Sequence, residues 1–182
     1  MVEDNAAPAA ALLAWSLRQV HERLVELVAD LTDDQLSWSP QPGAHSLKFA
    51  IWHIARCDDN YLRTHIQGRP EIWKQEGWFR RWSLDAESTG MLLSDEEAGS
   101  LPLPPKEEIL AYARRVWGEV EAYVSDLDLA ELARPVAHVE RTSGMTVGRV
   151  LMSHVFGHDN RHMGEMEYIK GLGLGVRGSI TL

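Results

Sequence analysis

The chain has 182 residues, 45% of them hydrophobic, and a formal net charge of −9 from 27 acids against 18 bases. Length and apolar content suffice for one domain over 1–182 with a real core. The acidic balance, without a long Lys/Arg run, repels phosphate backbones and anionic membranes and argues against nucleic acid as a partner. No run of about 18 apolar residues occurs, and the stretch up to Leu13 carries Glu3 and Asp4 rather than a basic region, so no membrane association is expected and the chain is read as cytoplasmic. Cys57 is the only cysteine, which leaves packing rather than disulfides to hold the fold. Seven tryptophans are read first as core anchors and second as the lining of a ligand cavity.

In chain order, Leu13, Leu17, Val20, Leu24, Leu27 and Leu31 recur at steps of four and three, which predicts a first helix over Pro8 to Asp30. Thr32 with Gln35 forms a capping-box pattern for a short helical turn, and Ser39-Pro40-Gln41-Pro42-Gly43 then breaks it. Ser46 is the expected N-cap of a second helix with the stripe Leu47, Ile51, Ile54 and Tyr61, ended by Gly68 and Pro70. Residues 69–105 show no sustained period apart from a second capping box, Ser94 to Glu97. They are read as a long crossover with short helical pieces, a kind of connection that often carries function. Beyond Pro104 and Pro105 the stripe Ile109, Ala113, Val116, Val120, Tyr123 and Leu127 gives a third helix. Pro135, Ser143 and Gly144 mark an irregular link in which 136–142 can be extended, and the last helix runs from near Thr146 to Lys170, stopped by Gly171 and Gly173. The expected fold is all-α, an antiparallel four-helix bundle with a long crossover between its second and third helices.

The last helix places His154, His158 and His162 on its apolar line. Buried imidazoles need hydrogen-bond partners or a metal, and three in line favour a metal. Residues four apart on a helix stand about 5–6 Å apart at Cβ, so His154/His158 and His158/His162 both suit one ion. The outer two are roughly 12 Å apart along the axis, too far to share it. His53 on the second helix is the natural third ligand. Cys57, one turn further, is read mainly as a small buried hydrophobe, with closure of a structural Cys/His3 site as the alternative. Asp58 lies on the second helix's core-facing line and Asp59 roughly opposite. Asp58 either pairs with a histidine N–H or an arginine, or has a raised pKa suited to catalytic acid–base work. His21, His45, His65 and His138 are read as surface, loop or ordinary core residues.

The segments Leu31-Thr32-Asp33-Asp34-Gln35-Leu36, Ile51-Trp52-His53-Ile54-Ala55 and His158-Asp159-Asn160-Arg161-His162-Met163-Gly164-Glu165 resemble the DinB-like superfamily of helical-bundle metalloproteins, which includes YfiT-like and maleylpyruvate-isomerase-like thiol transferases. The likeness spans about Leu12 to Leu174. It implies an up-down-down-up bundle, often a homodimer, with the metal on one histidine of the second long helix and the two of an HxxxH on the last. Carried onto this chain, these are His53, His158 and His162, with His154 outside the ligand set. Family members often continue with His-Arg-Gly-Gln, where Met163 and Glu165 stand in two of the places here; that difference bears on substrate contacts, not on the ligands. Characterised relatives use bacillithiol, mycothiol or glutathione.

Three imidazoles suit Zn, Ni, Co or Fe, with Zn or Ni expected here, and they leave a fourth position open. The leading expectation is therefore a low-molecular-weight-thiol-dependent S-transferase or isomerase acting on a small electrophile. A hydrolase with Asp58 as base is the alternative enzyme, and a non-catalytic metal- or ligand-binding stress protein the alternative class.

Overall fold

A computed structural model of the chain describes residues 6–41, 44–136 and 140–173. Every described regular segment is helical, and the sequence signals sit where they were expected. The first stripe forms α1 (Ala6–Ala29). Thr32 closes its capping box on Gln35 at the start of α2 (Asp33–Ser37), and Ser46 accepts from Phe49 N–H to start α3 (Leu47–Asp59). The crossover holds α4 (Ile72–Gln75), α5 (Trp78–Trp82) and α6 (Asp95–Gly99), the last begun by the Ser94–Glu97 box. After Pro105 comes α7 (Lys106–Ser125), with Glu107 and Glu108 in its first turn, where the helix dipole favours them. Short α8 (Leu129–Ala133) follows, then α9 (Val147–Val150), capped by Thr146, and α10 (Gly157–Gly173). No described helix is long and apolar enough to cross a membrane.

Two stretches depart from a uniform α-helix. A π-helix, Asn60–Ile66, extends α3, and another, Leu151–Phe156, joins α9 to α10. Such wide turns change the register of side chains relative to an α-helical count. The link in which 136–142 could be extended carries a 3-10 turn at Glu140–Thr142, where Thr142 pairs with His65; residues 137–139, His138 among them, lie outside the described residues.

Named pairs give the helix directions. His21 meets Glu121 while Lys106 reaches the carbonyls of Ala29 and Leu31, so α1 and α7 run antiparallel. Arg56 meets Tyr112 and Asp58 meets Trp117, so α3 and α7 run parallel. His53 meets His158 and Tyr61 meets His154, which makes the last helix antiparallel to α3, and Lys170 reaching Leu27 and Asp30 makes it parallel to α1. The order of directions is up-down-down-up. Trp52, Trp73, Trp78, Trp82 and Trp117 are buried as anchors, whereas Trp15 is exposed. The crossover packs through an aromatic cluster in which Trp73, Trp78 and Trp82 all meet Tyr112 in tilted or edge-on contacts. This fixes the loop that follows α5 against α3, and that loop shapes the site.

Candidate metal centre

His53 from α3 and His158 and His162 from α10 converge so that one ring nitrogen of each lies within 4.8 Å of the others. His158 and His162 are both in the regular α-helical part of the last helix, four residues apart. His154 lies in the π-helical part, where the wider turn breaks the i, i+4 progression assumed for a straight line of three. Two of the donors, His53 Nε2 and His158 Nε2, are 3.2 Å apart. Tetrahedral ligands at about 2.0–2.1 Å from a metal stand roughly 3.3–3.4 Å from one another, so this spacing fits a shared ion.

Outer partners set which nitrogen is free. His53 Nδ1 stands 2.6 Å from the Thr89 carbonyl, which can only accept; Nδ1 therefore donates and Nε2 keeps its lone pair. His162 Nδ1 pairs at 2.6 Å with a Glu165 carboxylate oxygen, which frees its Nε2 in the same way. Burial, followed by the neighbouring imidazoles, pushes the His53 pKa down to about 3, and burial likewise lowers that of His162. Neutral imidazoles are the form a metal binds. A cavity of about 250 Å³ opens over the group, lined also by Phe49, Met91, Arg141 and Arg161.

Thr89 is held by a tight loop. Gly90 has φ +84°, and a Cβ there would come within 2.9 Å of Phe49 and Trp52 and 3.1 Å of His53 Nδ1. Only glycine suits both the left-handed backbone and this approach. We expect Gly90→Ala to displace the Thr89 carbonyl from His53 and to weaken metal binding about 10-fold or more, the usual cost of losing an outer partner; chelator competition measures it.

The other residues singled out in the sequence fall elsewhere. Cys57 Sγ lies 3.7 Å from His53 Nδ1 but is outside the converging group, and burial raises its thiol pKa. His154 packs on Tyr61 and pairs with the Ser153 hydroxyl, and burial lowers its pKa. Asp58 is fully buried beside Trp117, His21 and Asp159, none of them a member of the triad; burial and then the Asp159 charge raise its carboxyl well above the usual range. Asp59 is equally buried: it accepts from the Ile72 and Trp73 backbone N–H groups and from Tyr112, and pairs with Arg56.

Residues the sequence reading did not single out complete the picture. Thr89, Gly90 and Arg141 come from irregular links with no period to flag them. His21, read as ordinary, joins Asp58 and Asp159 in a second group whose ligand atoms lie within 4.8 Å of one another.

A family model described as the DinB superfamily matches residues 16–166. Among solved structures, the chain resembles a conserved protein from Enterococcus faecalis with a TM-score of 0.76 and 20% identity, over 91% of this chain and 97% of that one, a likeness of fold alone. No curated protein matches significantly.

Proposed function

The chain belongs to the DinB superfamily, and from that premise we propose that it is a metal-dependent transferase or isomerase that joins a low-molecular-weight thiol to a small electrophile. In this reading His53, His158 and His162 hold a divalent ion, Zn or Ni. The observation that carries the reading is the convergence of three imidazoles, two with their tautomer set by Thr89 and Glu165, beneath an open cavity. When bound, a divalent ion supplies the Lewis acidity that turns a thiol into a thiolate near neutral pH.

The chain's own residues do the rest. Thr89 and Glu165 orient the ligating rings. Phe49 and Met91 give the cavity an apolar wall that limits water. Arg141 and Arg161, cations at the mouth of an otherwise acidic protein, favour an anionic co-substrate such as a carboxylate-bearing thiol or electrophile. Asp58 is given no step, because its surroundings are a separate buried group. One domain over 1–182 and a homodimeric state belong to the same proposal and rest on the family resemblance; light scattering tests the dimer.

The test uses cobalt in place of the native ion, in the wild-type chain and in Cys57→Ala. Adding glutathione, mycothiol or bacillithiol is expected to produce a sulfur-to-cobalt charge-transfer band in both. Absence of the band with all three thiols overturns the thiol reading. A band present only when Cys57 is intact overturns it too, by assigning the sulfur to the protein.

A further inference from the structure

We infer that His21, Asp58 and Asp159 form a second divalent-cation site, separate from the three-histidine centre. They come from α1, α3 and α10, and are 3%, 0% and 0% exposed. His21 Nε2 lies 3.5 Å from Asp159 Oδ2 and 4.0 Å from Asp58 Oδ2. Metal bonds of about 2.0–2.2 Å put tetrahedral ligand atoms roughly 3.3–3.6 Å apart, which the first distance meets and the second meets after a shift of about half an ångström.

Asp159 Oδ1 lies 3.5 Å from His158 Nδ1, and the atoms facing one another are otherwise poorly satisfied. Among the described residues, His21 Nε2, Asp58 Oδ1 and both carboxylate oxygens of Asp159 have no hydrogen-bond partner, although all are buried. Buried polar atoms are rarely left so, and four in one place call for a bound species. Among the described residues, the one hydrogen bond to the two carboxylates comes from Trp117 Nε1 to Asp58 Oδ2, at 3.0 Å. That is too little to offset two negative charges out of water. A divalent cation neutralises both at once, whereas a single proton neutralises one.

The surroundings of His21 are those of a metal ligand. Its Nδ1 pairs at 2.7 Å with Glu121 Oε1, and its ring stacks on Trp117 at 4.8 Å and 8°. A carboxylate on Nδ1 places the proton there and turns the Nε2 lone pair toward Asp58 and Asp159, the carboxylate–histidine–metal arrangement seen behind ligating imidazoles. Burial works against a charge on His21, yet Asp159 and Glu121 outweigh it and raise its pKa, so the position attracts positive charge even without metal. A cavity of about 430 Å³ between α1 and α7 is lined by His21, Trp117 and Glu121, and so reaches the outer side of the group without touching Asp58 or Asp159. Two carboxylates and one imidazole make a harder donor set than three imidazoles, one that accepts Mn2+, Fe2+ or Zn2+. Asp159 follows His158 directly in the chain, so α10 carries ligands of both sites.

The test is a count of Zn2+ retained by the metal-stripped and reloaded full chain after desalting. Two ions per chain are expected, falling to one in His53→Ala, to one in Asp58→Asn, and to none in the double variant. An ion count that Asp58→Asn does not lower overturns the inference, and if His53→Ala lowers it the three-histidine reading stands by itself. Loss in Asp58→Asn with none in His53→Ala leaves the inference standing and removes the three-histidine reading instead. Should Asp58→Asn fail to fold, the His21 ring is read by 15N NMR in the His53→Ala chain: Zn2+ is expected to move Nε2 to the shift of a coordinated nitrogen, and an unmoved resonance overturns the second site.

Discussion

Replacing His53, His158 or His162 by alanine is expected to weaken metal binding by more than about 100-fold, since loss of a mere outer partner already costs 10- to 100-fold. Each of the three supplies one of the nitrogens that converge within 4.8 Å, and none of the other residues singled out in the sequence stands ready to replace it. Cys57 is held as a thiol by burial, and Glu165 is engaged with His162. The control is His154→Ala, whose ring packs on Tyr61 and is expected to change affinity by no more than a few-fold. Chelator competition with the purified variants measures all four. Metal lost in His154→Ala but kept in His162→Ala would move the site by one turn of the helix.

The second large effect concerns stability. Arg56 is fully buried and donates to Glu71 at 2.9 Å, to Tyr112 at 3.2 Å, to the Ser88 carbonyl at 3.2 Å and to Asp59 at 3.4 Å, with its guanidinium 4.8 Å from the Trp73 ring. Glu71 and Asp59 are buried as well. Arg56→Met removes the cation and leaves both carboxylates without it, a change that typically costs about 3–5 kcal/mol. Urea unfolding is expected to show that loss as a lower midpoint at unchanged slope. Because Arg56 also holds the Ser88 carbonyl, beside the Thr89 carbonyl that orients His53, metal affinity should fall in the same variant. A loss below about 1 kcal/mol would mean that the network is not what ties the crossover to α3.

Much of this architecture could be read from spacing. Apolar steps of three and four gave the long helices, and the caps at Thr32, Ser46 and Ser94 gave the starts of α2, α3 and α6, because both signals are local. The two π-helical stretches could not be read that way. A wider turn leaves no mark in a pattern counted at 3.6 residues, so spacing alone left His154 and His162 equivalent and only the family resemblance set His154 aside; the register change lies at Leu151–Phe156. Asp58 and Asp59 were sorted by a helical wheel into core-facing and opposite, yet both are buried, because α4 folds back and caps its first backbone N–H groups on Asp59. His21 drew no attention for a similar reason: its partners Asp58, Glu121 and Asp159 lie on three other helices, and a single histidine in a leucine stripe carries no spacing signal. Thr89 and Gly90 act through a backbone carbonyl and a positive φ, which side-chain patterns do not encode.

The central claim is that three imidazoles hold a divalent ion and leave a position for an incoming thiol. X-ray absorption at the metal edge tests it most directly, on the Asp58→Asn chain reloaded with Zn2+ so that the three-histidine centre alone is read. The account predicts three imidazole nitrogens at about 2.0–2.1 Å with a light oxygen ligand and no sulfur, and one sulfur at about 2.3 Å once a low-molecular-weight thiol is added. A sulfur at that distance before any thiol is added, or a fourth imidazole that no thiol displaces, would contradict it.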